Sequence, residues 1–137
     1  MPTLTVQPAT KDTILSELNP TTNYGSDGDL FIRSRTSGNV RIILEAVISS
    51  IPAGASFVSA TLSLYRYGGQ TGAINRTYWA YKLTRTDWVE LQATWNIYKT
   101  DNNWTAAGGD YVTSNPTGGS DTVPAAGNWM DFDVLAI

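Results

Sequence analysis

The chain contains neither cysteine nor histidine. Without cysteine it can form no disulfide, no thiolate metal site and no thiol nucleophile. Without histidine it has no imidazole to bind a metal, to act as general base or to complete a hydrolase triad. Packing alone must therefore hold the fold together, and zinc sites and the common nucleophilic hydrolase sites are excluded.

Charge is also scarce. Charged residues make up 15% of the 137 residues, against about 25% in an average soluble domain. The formal net charge of −3 provides no basic field to gather phosphates, so we expect no nucleic-acid partner. The surface must be covered by Thr, Ser, Asn and Gly, as is common on extracellular β-sandwiches and virion proteins. We therefore expect an extracellular or virion-surface location.

Long apolar runs are missing too. No run approaches the roughly 18 residues that a membrane-crossing helix needs, so we expect no membrane partner. Residues 1–4 lack the charged and apolar regions of a signal peptide. We expect either that a leader has been removed or that the protein never crosses a membrane by that route.

The pattern that is present has a period of two. Residues 59–65 alternate small or polar with apolar side chains, which is typical of a half-buried strand. Residues 40–47 are nearly all apolar and predict a central strand covered on both sides, preceded by a strand at 30–34 and a turn at 37–39. Further strands are expected at 77–84 and 129–134, with a single turn at 89–91 and mostly loop over 98–128. These features predict one all-β domain over residues 1–137, a β-sandwich of jelly-roll type with mainly antiparallel strands.

Six weak motifs follow one another along the chain: Asn23-Tyr24-Gly25, residues 41–52, residues 59–65, residues 84–96 with Trp88 and Trp95, Trp104 with residues 108–111, and Trp129 with residues 131–134. In this order they resemble a known family, the DNRLRE domain. That family occurs in disaggregatase-related proteins and is also classed among carbohydrate-binding modules. The resemblance implies a non-catalytic β-sandwich attached to polysaccharide lyases, surface proteins or phage structural proteins, with acidic polysaccharides such as alginate bound by some members.

The chain departs from the family pattern in two places. Ala46-Val47 stands where the family usually has Phe-Asp, and the chain stops at Ile137 where family members continue with a further strand. A sandwich without its last strand leaves an unpaired edge, which is a template for pairing with another chain. We expect either that the chain is a piece of a longer one or that a neighbouring copy supplies the strand, giving a homo-oligomer through the open C-terminal edge.

The aromatic side chains are the best candidates for a binding site. Sugar rings stack on exposed aromatic faces, with about 1 kcal/mol for each contact beyond its buried area. Alternation places Trp79 and Tyr81 on the same strand face, and Tyr98 and Trp104 lie in loop-rich sequence. We predict carbohydrate binding at these four residues, with a place in the core or in an interface as the alternative.

Carboxylates are the remaining groups able to carry acid–base chemistry. Asp131 and Asp133 lie two apart on a predicted strand, about 7 Å from each other by strand rise, within the range that a glycosidase pair needs. Any Asp-x-Asp in a strand has this spacing, so a solvated strand face explains it without catalysis. We predict no enzyme activity.

A loop with two aspartates suggests a metal. Asp27 and Asp29 flank Gly28 in a stretch rich in turn formers. Carboxylate oxygens suit Ca²⁺, and this pair predicts a structural calcium site. Ordinary turn chemistry is the alternative.

The function that we predict is adhesion without catalysis. The protein would bind a polysaccharide through exposed aromatic residues, in the setting of a phage particle. The alternative is a virion structural protein, in a capsid decoration or a tail, that works by protein–protein assembly and has no glycan ligand.

Overall fold

The computed structural model describes residues 3–69, 74–114 and 118–137, and every regular element in them is a β-strand. All strand pairs are antiparallel, which confirms the all-β prediction. The jelly-roll sandwich stays a prediction, and the turns expected at 68–72 and 115–116 lie partly or wholly outside the described residues. The strands are β1 (Lys11–Ser16), β2 (Val40–Glu45), β3 (Thr61–Arg66), β4 (Thr77–Trp79), β5 (Ile97–Lys99), β6 (Asn102–Asn103), β7 (Ser120–Thr122) and β8 (Asn128–Asp133).

The chain divides into two compact units, and it enters each of them twice. Unit 1 comprises Met1–Ala53 and Arg85–Asp110, and unit 2 comprises Gly54–Thr84 and Tyr111–Ile137. Unit 1 holds β1, β2, β5 and β6, and unit 2 holds β3, β4, β7 and β8. Each unit is described by itself, and the single domain predicted over residues 1–137 stays a prediction.

The most buried strand of unit 1 is β1. It pairs with β2 from Lys11 opposite Glu45 to Ser16 opposite Val40, and its residues 13–16 are all buried, whereas β2 buries two of its six residues. The prediction that residues 40–47 form the strand covered on both sides was therefore wrong. Thr13 and Ser16, two small hydroxyl side chains, interrupt the apolar run that normally marks such a strand.

The strand predicted at residues 30–34 is reduced to one bridge. The backbone N–H groups of Arg33 and Val40 each donate to the other residue's carbonyl, at 3.1 and 2.9 Å. The turn predicted at residues 37–39 is present, with Gly38 at a φ of 78°, which glycine adopts without steric cost. This bridge holds the preceding loop against the start of β2.

A single turn at residues 89–91, as predicted, comes before β5. The backbone N–H groups of Gln92 and Ala93 both donate to the carbonyl of Val89, at 3.0 and 2.8 Å. The described part of the stretch 98–128 is mostly loop, as predicted, and the short strands β6 and β7 and most of β5 lie within it. Strands of two or three residues are too short to show a periodicity.

The two sheets of unit 2 share one apolar core. β3 pairs with β8, and β4 pairs with β7; near the ends of β7 and β8 the N–H of Gly119 donates to the carbonyl of Asp133 at 2.5 Å. Apolar side chains from all four strands and their ends form this core: Val123, Met130 and Phe132, with Leu62, Leu64, Tyr78, Ala80 and Val134 packed against them.

The strand nearest the C-terminus, β8, pairs with β3 in a two-stranded sheet. The N–H of Asp131 in β8 also donates to the Asp121 carboxylate of β7 at 2.8 Å. The open C-terminal edge and oligomerisation through it stay predictions.

Candidate functional site

An aromatic pair stands on the outer face of the β3–β8 sheet. Tyr65 and Trp129 lie directly opposite each other in the two strands. Their ring centroids are 5.1 Å apart with the planes at 60°, the edge-to-face arrangement that aromatic rings prefer. The two residues are 51% and 53% exposed, so this pair is open to solvent rather than part of the core.

Carboxylate and hydroxyl side chains also lie on this outer face. Asp131 lies opposite Ser63, and Asp133 opposite Thr61, and all four residues are exposed. Asp133 accepts a hydrogen bond from the N–H of Leu135 at 3.0 Å through one carboxylate oxygen. Alternation along each strand accounts for the arrangement, because the residues between them face the core.

The strand β4 and the residues that follow it add two more exposed rings. Trp79 is 51% exposed and Tyr81 is 38% exposed, whereas Tyr78 and Ala80 pack against the core of unit 2. The predicted alternation therefore holds from residue 78 to residue 81. The Tyr81 ring is supported by Tyr111, with centroids 5.2 Å apart.

Trp79 and Tyr81 stand on the outer side of a second two-stranded sheet. Trp79 is opposite Ser120 in β7, and the β4–β7 sheet is separate from the β3–β8 sheet. We call the exposed side of β3 and β8 the aromatic face; it consists of Thr61, Ser63, Tyr65, Trp129, Asp131 and Asp133. Trp79 and Tyr81 are a second group of exposed rings.

The structure corrects the other two predicted sugar-stacking residues. Tyr98 is 8% exposed and Trp104 is 4% exposed, and they pack together in unit 1 with ring centroids 5.6 Å apart. The indole N–H of Trp104 donates to the carbonyl of Thr94 at 2.8 Å, and the Arg85 guanidinium lies over the Tyr98 ring at 4.2 Å. Because their faces are covered, neither ring can stack on a sugar.

The motif residues of unit 1 hold loops in place. The Asn23 side-chain amide donates to the carbonyls of Glu90 and Ala93, both at 2.7 Å, and its oxygen accepts the N–H of Gly25 at 3.1 Å. The Glu90 carboxylate accepts the N–H of Asp12 at 2.8 Å. These side chains satisfy backbone groups that no strand pairs, so the motif is structural.

A second set of framework contacts surrounds Gly108. The Arg41 guanidinium donates to the Gly108 carbonyl at 2.7 Å and lies 5.0 Å from the centre of the Trp95 ring. A Cβ at Gly108, which has a φ of 88°, would meet both side chains at 2.7 Å. Glycine is therefore required here both for space and for backbone conformation.

The charged side chains of unit 1 form a network at its surface. Asp87 pairs with Arg85 at 3.2 Å and with Lys99 at 2.9 Å, and Arg85 also reaches Asp110 at 3.4 Å. The hydrogen bond from Lys99 is the main cause that lowers the pKa of Asp87. Such exposed pairs contribute little to stability individually, but a network restrains the loops that carry it.

The pKa values of two carboxyl groups in unit 1 are shifted in opposite directions. Burial raises the pKa of Asp12, and the neighbouring Glu90 carboxylate raises it further. Burial also pushes the pKa of Asp110 upward, but hydrogen bonds from the N–H groups of Ala106 and Thr105 outweigh it, so this pKa is lowered. Asp110 therefore works as an ionised cap for the 105–106 backbone.

The predicted calcium ligands stand apart from other acids. Asp27 and Asp29 are both exposed, and the N–H of Asp27 closes a turn to the carbonyl of Tyr24 at 3.1 Å. Within residues 3–69, 74–114 and 118–137, no three acidic side chains come together as a metal site. The turn explains the Asp-Gly-Asp sequence, and calcium binding stays an untested prediction.

Sequence reasoning missed Tyr65 and Trp129. The signal was available, because the alternation in residues 59–65 places Tyr65 on the side opposite Leu62 and Leu64. The same alternation in β8 separates Trp129 from Met130 and Phe132. What the sequence did not reveal is that the two strands pair in a register that puts the two rings together.

Comparison with known proteins places the chain in one family. The model of carbohydrate-binding module family 96 matches residues 3–137. No curated protein and no solved structure matches the chain. None of the described segments forms a helix with the length and hydrophobicity that a bilayer crossing requires.

Proposed function

The chain belongs to carbohydrate-binding module family 96, and we propose that it binds a polysaccharide on the aromatic face of unit 2. The expected resemblance to a carbohydrate-binding module is thereby confirmed, although the match does not extend to the DNRLRE name. The observation that carries the proposal is the exposed Tyr65–Trp129 pair on the outer face of β3 and β8.

Exposed aromatic clusters of this size need an explanation. A Trp that is about half exposed loses much of the stabilisation that burial would provide, and an exposed apolar patch usually marks a binding surface. The two faces of a pyranose ring are apolar enough to cover such a ring.

Polar groups beside the rings complete the recognition. Ser63 and Thr61 hydroxyls can donate and accept, and the Asp131 and Asp133 carboxylates accept hydrogen bonds from sugar hydroxyls. The two carboxylates lie side by side on an exposed face, not on opposite sides of an enclosed substrate as in glycosidases. The proposal is therefore binding without catalysis, in an extracellular or surface setting.

Affinity gel electrophoresis against a panel of polysaccharides tests the proposal. We expect retardation of the wild-type protein by at least one polymer, and Trp129→Ala and Tyr65→Ala should each weaken binding about five- to tenfold, since about 1 kcal/mol is lost with each stacking ring. Phe31→Ala is the matched control, because Phe31 is an aromatic residue of unit 1 with 49% exposure. Equal losses in all three variants would contradict the assignment of the site.

A second candidate function is assembly on a virion through protein contacts. It draws on the exposed apolar side chains Val47 and Ile48 of unit 1, at 47% and 53% exposure. Light scattering would show concentration-dependent oligomers that Ile48→Asp abolishes. A monomer at all concentrations, together with glycan binding, would leave the aromatic face as the working surface.

A further inference from the structure

We infer that unit 2 carries a second saccharide-binding surface, on the outer side of β4 and β7 and of the residues that follow β4. This surface binds independently of the aromatic face, so no contact between the two is required. The inference rests on the proposed function and adds a site to it. We call this surface the Trp79 surface, and it consists of Thr77, Trp79, Tyr81, Tyr111, Ser120 and Thr122.

Three aromatic rings form a row on the Trp79 surface. Trp79 and Tyr81 are 51% and 38% exposed, whereas Tyr78 and Ala80 pack against the core of unit 2. Two residues of extended chain separate the two outward positions by about 7 Å. The Tyr111 ring meets the Tyr81 ring with centroids 5.2 Å apart and planes at 62°. The rings are therefore neighbours, and not apolar side chains scattered singly over the surface.

Backbone hydrogen bonds hold this row in place beyond the end of β4. The N–H of Ala80 donates to the carbonyl of Gly119 at 3.1 Å, and the N–H of Val112 donates to the carbonyl of Lys82 at 3.0 Å. These bonds fix the chain on both sides of Tyr81. Because the backbone under the rings is already ordered, a ligand that stacks on them loses little affinity to ordering the chain.

Hydroxyl groups flank the rings. Ser120 lies opposite Trp79, and Thr77 lies opposite Thr122 in the paired strands. All three hydroxyl-bearing residues are exposed. A hydroxyl both donates and accepts hydrogen bonds, as the hydroxyls of a sugar do. The surface thus offers the stacking and the hydrogen bonding that a saccharide needs.

The size of the surface favours a saccharide over a protein partner. A fully covered Tyr or Trp side chain buries about 150–250 Å², so the exposed parts of Trp79 and Tyr81 offer roughly 200 Å². A standard protein interface buries about 800 Å² on each partner. The chain belongs to a family of carbohydrate-binding modules, and a short run of sugar rings is a ligand of matching size.

The indole N–H signals in nuclear magnetic resonance spectra test the two surfaces separately. The signals of Trp79 and Trp129 are assigned from Trp79→Phe and Trp129→Phe, which keep an aromatic ring. The protein is titrated with tetrasaccharides of alginate and of any other polymer that retards it in the gel. We expect both signals to shift. In Trp129→Ala the affinity read from the Trp79 signal should stay within about twofold of the wild type, as for independent sites.

Variants of the second ring assign the binding to the Trp79 surface. Tyr81→Ala should weaken the affinity read from the Trp79 signal about five- to tenfold, whereas Tyr81→Phe, which keeps the ring, should stay within about twofold of the wild type. Phe57→Ala is the matched control, because Phe57 is an aromatic residue of unit 2 with 52% exposure that lies on neither surface. It should leave both titrations unchanged.

The outcomes separate this inference from the proposed function. A shift of the Trp129 signal alone would overturn the inference and leave the aromatic face as the binding surface. Loss of the Trp79 shift in Trp129→Ala would also overturn it, since the surfaces would then not be independent.

The remaining outcomes concern the Trp79 signal. If this signal moved with protein concentration and not with saccharide, a second copy of the chain would cover the surface, and the inference would be wrong. A shift of the Trp79 signal alone would support the inference and contradict the proposed function. No shift at either indole with any tetrasaccharide would overturn both.

Discussion

The two units of this protein treat tryptophan in opposite ways. In unit 1, Trp88 and Trp104 are 3% and 4% exposed, while in unit 2 Trp79 and Trp129 are 51% and 53% exposed. The four ion pairs found among the described residues all lie in unit 1. Unit 1 thus uses aromatic and charged side chains to fix its loops, whereas unit 2 presents the same kinds of side chain to solvent.

The difference shows that the motif residues and the proposed binding residues lie in different units. The motif residues Asn23, Glu90 and Trp104 act on backbone groups of unit 1, and they explain how the loops are held. The proposed ligand contacts stand on the outer face of unit 2. A motif that identifies a family therefore need not contain the surface with which the family member works.

Removing a buried aromatic ring from unit 1 should have the largest effect on the free energy of unfolding. Trp104→Ala leaves a cavity and an unpaired Thr94 carbonyl, and we expect the free energy of unfolding in urea to fall by about 3–5 kcal/mol. Trp129→Ala is the matched control in unit 2, with an expected loss of at most about 1.5 kcal/mol, chiefly from its contact with the Tyr65 ring. Similar losses in the two variants would break the contrast between the units.

Removing the Asn23 side-chain amide should have the next largest effect on the free energy of unfolding. Asn23→Ala leaves the carbonyls of Glu90 and Ala93 without their donor, which we expect to reduce the free energy of unfolding by about 2 kcal/mol. Urea titration measures the loss, and Asn128→Ala, an exposed amide of unit 2, is the control. A loss no greater than in the control would show that water replaces the Asn23 contacts.

The interaction energy between the exposed rings of Tyr65 and Trp129 should be smaller than these two losses of stability. A double-mutant cycle with Tyr65→Ala and Trp129→Ala measures the interaction of the two rings apart from their other contacts. We expect about 0.5–1.5 kcal/mol, as for other edge-to-face pairs. A coupling near zero in thermal unfolding would mean that the rings move independently before a ligand arrives.

The smallest effect should be a pH dependence confined to unit 1. The pKa of Asp110 lies below its usual value of 3.8, so its contribution to stability is present above that value and is lost as pH falls through the folded-state pKa. We expect the stability difference between wild type and Asp110→Asn to favour the wild type at pH 7 and to shrink below about pH 4. A difference that stays constant across this range would contradict the capping role.

Part of the site could be predicted because it depends on local alternation. The sequence 78–81 places Trp79 and Tyr81 on one side and Tyr78 and Ala80 on the other, and the burial of these residues agrees. Strand geometry alone decides this pattern. The all-β class followed from the same periodicity in residues 59–65.

The rest depends on contacts between distant parts of the chain. Trp104 is buried because its indole reaches Thr94 and its ring meets Tyr98, which no local pattern in residues 98–128 reveals. Tyr65 and Trp129 become a pair only through a register that joins positions 64 residues apart. The burial of β1 could not be predicted for the same reason. Thr13 and Ser16 are small polar residues, and only the contacts made by their neighbours show that they are buried.

The uneven distribution of indoles also makes the protein its own optical reporter. Rings in contact with water emit at longer wavelengths and are reached by acrylamide, whereas the enclosed rings of Trp88 and Trp104 are shielded from it. A saccharide that covers Trp129 would shift part of the red-edge emission and protect it from the quencher while leaving the blue component untouched. Occupancy of the surface can thus be followed without a label.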